Sequence, residues 1–219
     1  MDHGFVRDWD AGSKEPAISR FEGHFHHRPS VKEQISTALY RLKSQQNKLE
    51  AAAARMQLHD KEIFNKCVSS QLSHDAARAA MYANECAEVR KMAKVTVQCQ
   101  MALEQVSLRL ETIQEFGDVA GMMAPVANVV QSIKTQISGV MPEVGLELGQ
   151  IGDLLSGVVD DVGEVTGTSY DSATTNPESS KILDEASAIA EQHVKDRFPE
   201  LPANGFALSQ KTSEPGVSH

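Results

Sequence analysis

Between Ser30 and Phe116 the chain contains neither glycine nor proline, so nothing in that long stretch stops a helix. Steps of four and three residues connect Ile35, Leu39, Leu42, Gln46, Leu49, Ala53, Met56, Asp60, Ile63 and Cys67. A spacing that averages about 3.5 puts these side chains on one stripe of a helix, and such a stripe must pack against another helix. Gln46 and Asp60 are polar intrusions, so the seam departs from an ideal coiled coil. Ser30 with Glu33 three residues later predicts a capped start. The run "AAAA" at 51–54 is strong helix former. "SSQLSHD" at 69–75 predicts a turn, with Ser73 capping the helix that follows.

The second helix carries the same spacing through Tyr82, Glu85, Val89, Met92, Thr96, Cys99, Leu103, Val106, Leu110 and Ile113. Its first half is crowded with Ala76, Ala77, Ala79, Ala80, Ala83 and Ala87, small side chains that let two backbones approach closely. Two helices of about 42 residues make a hairpin roughly 60 Å long at about 1.5 Å per residue. A hairpin buries one stripe per helix, so this one requires further helices or further copies of itself.

Beyond Phe116 the texture changes. Nine of the 14 glycines fall between Gly117 and Gly167, and Pro125 and Pro142 interrupt the pattern. A helix is still predicted at about 118–139, and another begins after Pro142, a residue suited to a first helical turn. Val144, Leu148, Ile151, Leu155, Val158 and Val162 repeat the seam, while Glu143, Glu147, Asp153, Asp160, Asp161 and Glu164 make the polar side acidic. Each interior glycine costs about 1 kcal/mol relative to alanine. These helices are therefore expected to be marginal alone, able to dock, swing out or fuse with the hairpin. Residues 166–177, rich in Ser, Thr, Asp and Gly, predict a flexible linker. A final amphipathic helix is predicted at 178–198, with Ile182, Ala186, Ile189, His193 and Val194 on its apolar side and Pro199 ending it. Residues 199–219 hold a proline motif and a tail expected to be disordered from Ala203. The fold class is all-α: an arm at 1–29, a long helical hairpin at 30–117, two shorter helices at 118–165, a linker and a fifth helix.

Composition narrows the function. Of 219 residues 21 are basic and 30 acidic, a formal net charge of −9, and aromatics make up 5%. Charge is unevenly placed. Thirteen Lys/Arg face eight Asp/Glu between Arg28 and Arg109, a balance of +5, whereas 118–219 holds five against fifteen, a balance of −10. One end can attract an anionic surface, and the other can compete for the same basic side chains. No apolar run approaches the roughly 20 residues of a membrane span, and residues 1–15 lack the apolar core of a signal peptide. Cys67, Cys86 and Cys99 are odd in number, without C-x-x-C spacing, and Cys67 and Cys99 fall on the apolar seams. A reducing intracellular setting and structural thiols are expected. His24, His26 and His27 lack a Cys or second His pair at ligand spacing, so no metal is expected. Phosphate-binding loops, nucleophile elbows and metalloprotease helices are absent from the sequence, so no catalysis and no cofactor are expected. The acidic total, and basic stripes without interleaved aromatics, disfavour nucleic acid.

Four stretches carry a family resemblance. They are "PSVKEQISTALYRLKSQQNKLEAAAARM" with the alanine-rich opening of the second helix, "ALEQVSLRLETIQEFGDVAGMMAPV" and "ILDEASAIAEQHVKDRFPELP". Over roughly residues 5–202 the chain resembles the ESCRT-III family, in particular its archaeal cell-division branch. The resemblance implies a hairpin, two shorter helices, a linker and a fifth helix that folds back. It also implies polymerisation with copies of itself or with paralogues into curved filaments that constrict membranes. A further implied partner is a hexameric AAA ATPase that grips C-terminal motifs through an MIT domain. The place implied is the inner face of the cell membrane, at mid-cell during division. The alternative left open by the residues is a soluble coiled-coil adaptor that never touches lipid.

Candidate contacts follow. Arg41, Lys48 and Arg55 repeat every seven residues on the first helix, with Lys43 nearby, and Arg90, Lys91 and Lys94 form a second basic knot. These residues are expected to meet anionic headgroups, at about 1 kcal/mol each near such a surface, although an ordinary solvated face has the same pattern. "FPELP", from Phe198 and Pro199 through Glu200 and Leu201 to Pro202, resembles an MIT-interacting motif, shortened by the absence of a second proline step. Extended proline segments lose little entropy on binding; the same prolines also serve to stop a helix. Phe5, Val6 and Trp9 form an apolar cluster suited to anchoring in a membrane interface or to packing on a protein.

Overall fold

The stretch free of glycine and proline folds into two helices, α1 (Val31–Leu72) and α2 (Ala76–Phe116), packed as a hairpin. The computed structural model describes residues 29–117, 119–166 and 177–199. Residues from Val31 on form one unit, separate from residues 1–30, and all five described helices belong to it. The stripe on α1 lies inward as its spacing predicts. Ile35, Leu42, Gln46, Leu49, Ala53, Asp60, Ile63 and Cys67 are buried, and Leu39 and Met56 are half-buried.

On α2 the stripe holds from Thr96 to Ile113 but shifts nearer the turn. Glu85 and Met92 lie at the surface, Val89 is buried as spaced, and Ala79, Ala83, Cys86 and Ala93 are buried beside it. Small side chains at most of these positions let the two backbones approach closely. The turn also differs from expectation. Helix α1 runs on to Leu72, and the next helix is capped by Asp75, whose carboxylate accepts from the Arg78 amide, in place of Ser73. The Asp75 amide donates to Ser70 O and the His74 amide to Gln71 O, a helix-ending pattern that puts His74 at φ 56°, where glycine is usual. Gly117 ends α2 at φ 74°, its amide donating to Ile113 O.

Three shorter helices cover the end of the hairpin away from this turn. Helix α3 (Val119–Ile137) packs on α2. Helix α4 (Pro142–Thr166) packs on α3 and α1, and α5 (Pro177–Arg197) packs on α2 and α3. Together they close one core that joins Leu42 and Leu49 to Leu103, Leu110 and Ile113, to Ile133 and Ile137, and to Leu148, Ile151 and Leu155. Burying each such side chain is worth about 1.5–3 kcal/mol relative to leaving it in water. Toward the turn the end of α5 reaches the hairpin as far as Phe64 and Arg90, and the two long helices are held by a small cluster of Ile63, Cys86 and Val89 with Met56, Phe64 and Tyr82 at its margin.

Helix α3 continues through Pro125, whose carbonyl accepts from the buried hydroxyl of Ser179 at the start of α5. On α4 the stripe Val144, Leu148, Ile151, Leu155 and Val158 is buried. A Cβ at Gly145 would collide with Ser138, just after α3, and one at Gly152 would displace the amide end of the Gln131 side chain on α3. Helix α5 buries Ser179, Ile182, Ala186 and Ala190, with His193 and Val194 half-buried. Ile189, expected on the apolar side, is 46% exposed because Ala190 takes the contact. The linker beyond Thr166 lies outside the described residues. Among the described residues no helix is long and apolar enough to cross a membrane.

Candidate functional site

The basic residues of the hairpin divide into those met by another part of the chain and those that face outward. Arg41, on α1, reaches α4: Nε donates to Glu147 Oε1 at 2.8 Å and Nη2 to Gln150 Oε1 at 2.7 Å. The hydrogen bond from Arg41 holds the Glu147 carboxyl below the usual carboxylate range. Desolvation opposes that effect, and the charges of Arg41 and Lys48 add to it. Glu147 is thus charged at neutral pH and competes with any outside anion for Arg41.

Arg90, Lys94 and Arg109, on α2, meet α5 and the residues just after it. Arg109 pairs with Glu178, Lys94 Nζ stands 3.7 Å from Glu191 Oε2, and Arg90 Nη1 donates to Pro199 O at 2.6 Å. As numbers rise along α5 they fall along α2, so the two helices run antiparallel. Hydrogen bonding to Lys195, then the charges of Lys195 and Lys94, keep Glu191 below the ordinary carboxylate range.

Arg90 is the most constrained of the set. Its Nε and Nη2 donate to both oxygens of Asp60 at 2.7 and 3.0 Å, and the Asp60 side chain is 1% exposed. Its guanidinium lies 5.9 Å from the Phe64 ring centre and 5.6 Å from that of Phe198, within cation–π range of both. A buried carboxylate is tolerated only when paired in this way.

Lys43, Lys48 and Arg55 are exposed on α1 and make no ion pair among the described residues. Lys91 is exposed beside Glu88, at 4.0 Å on the same helix. The seven residues singled out from the sequence therefore do not form one open face. Of the proline motif, Phe198 and Pro199 are described and lie against α1 and α2. Glu200, Leu201 and Pro202 fall outside the described residues, as do Phe5, Val6, Trp9 and the three histidines from His24 to His27.

The cysteines pack as their positions predict. All three are free and buried. Desolvation pushes the Cys99 thiol up to about 12, and burial together with the Asp60 charge pushes Cys86 up to about 11. Burial also raises Cys67. None is a thiolate nucleophile at neutral pH.

Sequence reasoning missed the acidic and aromatic partners: Asp60 and Phe64 around Arg90, Glu147 opposite Arg41, and Glu178 and Glu191 along α5. One signal was present. Asp60 and Arg90 lie fifteen residues on either side of Asp75, so a hairpin turning at Asp75 places them face to face. A polar residue in an apolar seam at such a mirrored position identifies its own partner.

A long α-hairpin, two shorter helices on one end of it and a fifth laid back along its second helix is an ESCRT-III-like arrangement. The chain is 48% identical over 182 residues to Cell division protein B1 of Sulfolobus acidocaldarius, spanning 83% of this chain and 85% of that one. It is 33% identical over 180 residues to Cell division protein B of the same organism, spanning 82% and 69%. No family model matches it. No solved structure matches it either. The chain belongs to the archaeal Cell division protein B (CdvB) family of ESCRT-III proteins.

Proposed function

We propose that this protein is a non-enzymatic cell-division subunit that polymerises on anionic membrane and helps to constrict and sever it, and that the conformation described here is its closed form. The observation that carries this reading is the division of basic residues. Arg41, Arg90, Lys94 and Arg109 are each occupied by an acid or carbonyl from the chain beyond Pro142. Lys43, Lys48 and Arg55 remain exposed on α1. Release of α4 and α5 would return Arg41, Lys94 and Arg109 to the exposed set, leave Arg90 held by Asp60 within the hairpin, and uncover the apolar stripe beneath them, which a second hairpin could fill. Relatives named for cell division support the setting, and the inner face of the cell membrane at mid-cell is the expected place. The C-terminal motif would serve an MIT-bearing AAA ATPase that extracts subunits.

Co-sedimentation tests this. The full chain and a chain ending at Thr166 are mixed with vesicles of anionic phospholipid and pelleted at low and high salt. The shorter chain should pellet, more so than the full chain, and should be released as salt shortens the Debye length from about 30 Å at 0.01 M to about 10 Å at 0.1 M. Lys48→Glu with Arg55→Glu should abolish pelleting. A shortened chain that ignores vesicles and stays monomeric at high concentration would favour the soluble adaptor.

A further inference from the structure

A cleft of about 470 Å³ opens on α1 beside the Asp60–Arg90 pair. Leu58, Lys61 and Phe64 line it from α1, and Arg197 and Pro199 line it from the end of α5. Leu58 is 65% exposed and points its apolar surface at solvent. Pro199, the last described residue, stands at the cleft's edge, and its carbonyl is fixed by Arg90. The next three residues are Glu200, Leu201 and Pro202.

We infer that this cleft is a binding site for the chain's own Glu200–Leu201–Pro202, so that the hairpin holds all of FPELP as one extended segment. Three features fit that occupant. Continuity delivers it, because a chain leaving Pro199 begins at the site and needs no linker. Chemistry matches in order: Lys61 and Arg197 offer cations to the carboxylate of Glu200, and Leu58 with the ring of Phe64 offers an apolar seat to Leu201. The entry is already anchored, with Arg90 set between the Phe64 and Phe198 rings and donating to the Pro199 carbonyl. Asp60 holds that guanidinium with two hydrogen bonds, so the receptor is preformed and little entropy is lost on seating the segment. The ligand class is an extended aromatic–proline–acid–aliphatic peptide, the same five residues that the proposed partner would need. A partner must then displace them from the hairpin, and each such capture would weaken the hold of α5 by the same free energy. The seat itself does not depend on the membrane reading; its consequence for a partner rests on that reading of the motif.

Methyl-labelled full-length protein provides the test, without lipid or partner. Leu201 methyls should be shifted upfield by the Phe64 ring and show nuclear Overhauser cross-peaks to Phe64 and Leu58. Leu58→Glu, at an exposed position, should remove both signatures while the Ile182 methyls stay in place, showing α5 still docked. Arg90→Lys keeps a cation for Asp60 but loses the planar stack, and it should have the same effect on Leu201. Leu201 methyls at unstructured positions without cross-peaks in the unmodified chain would overturn the inference. Signatures that survive Leu58→Glu unchanged would overturn it equally, and neither result bears on vesicle binding.

Discussion

The two ends of the hairpin carry the same spacing and make opposite use of it. Away from the turn, Leu42, Leu49, Leu103, Leu110 and Ile113 enter a core shared by five helices. Near the turn, Ile63, Cys86 and Val89 form a small cluster between two helices, and a carboxylate paired with an arginine occupies the seam. A two-helix layer has no interior in which to hide large aliphatics, so close approach through alanines and one buried ion pair take their place. The thick end is held by area, the thin end by fit. Large residues therefore matter most at the first, and geometry at the second.

Six changes would break or sharpen that contrast. The largest effect is expected at the thin end. Arg90→Ala leaves Asp60 buried without a partner and should cost about 3–5 kcal/mol in denaturant unfolding. Replacing Asp60 and Arg90 together by apolar residues of similar volume should restore most of that loss. A double variant as unstable as the single would mean that the pair is not what holds this end.

At the thick end Leu103→Ala, fully buried among several helices, should cost about 3 kcal/mol, within the usual range for a core leucine. Ile63→Ala should cost less, because its surroundings can collapse or admit water. Equal losses would erase the distinction.

Acid should act on the α1–α4 contact. Because the Glu147 carboxyl lies below its ordinary range when folded, its contribution is present above the unfolded pKa and is lost as pH falls through the lower, folded one. The pair is partly exposed, so the change should be no more than about 1 kcal/mol. Glu147→Gln should flatten the acid limb of a stability–pH curve, and an unaltered limb would remove this pair from the account. The smallest effect belongs to the turn. His74→Gly relieves a left-handed backbone and should raise the thermal midpoint slightly, by up to about 1 kcal/mol in stability.

Much of the fold was legible because the stripes are long and uninterrupted. Ile35 to Cys67 on α1 and Thr96 to Ile113 on α2 went inward as spaced. Legibility failed where small residues offered more than one register. Along Ala79–Ala93 the expected Glu85 and Met92 gave way to Ala83, Cys86 and Ala93, and on α5 Ile189 gave way to Ala190. Alanine carries little directional signal, so periodicity cannot choose between neighbouring stripes. The candidate site was readable as a set of charges but not as an arrangement. Nothing local to Arg41 says that Glu147, more than a hundred residues on, will reach it.

The glycines of α4 bear on how this molecule would come apart. At Gly145 a Cβ would run into Ser138 just after α3 and at Gly152 it would push aside the movable end of the Gln131 side chain, whereas Gly157 faces open space and would accept a methyl group. A segment so poor in intrinsic helicity keeps its shape chiefly because a neighbour is there. Parting α4 from α3 should therefore be visible first as falling ellipticity near 222 nm, a melting and not the swing of a rigid arm.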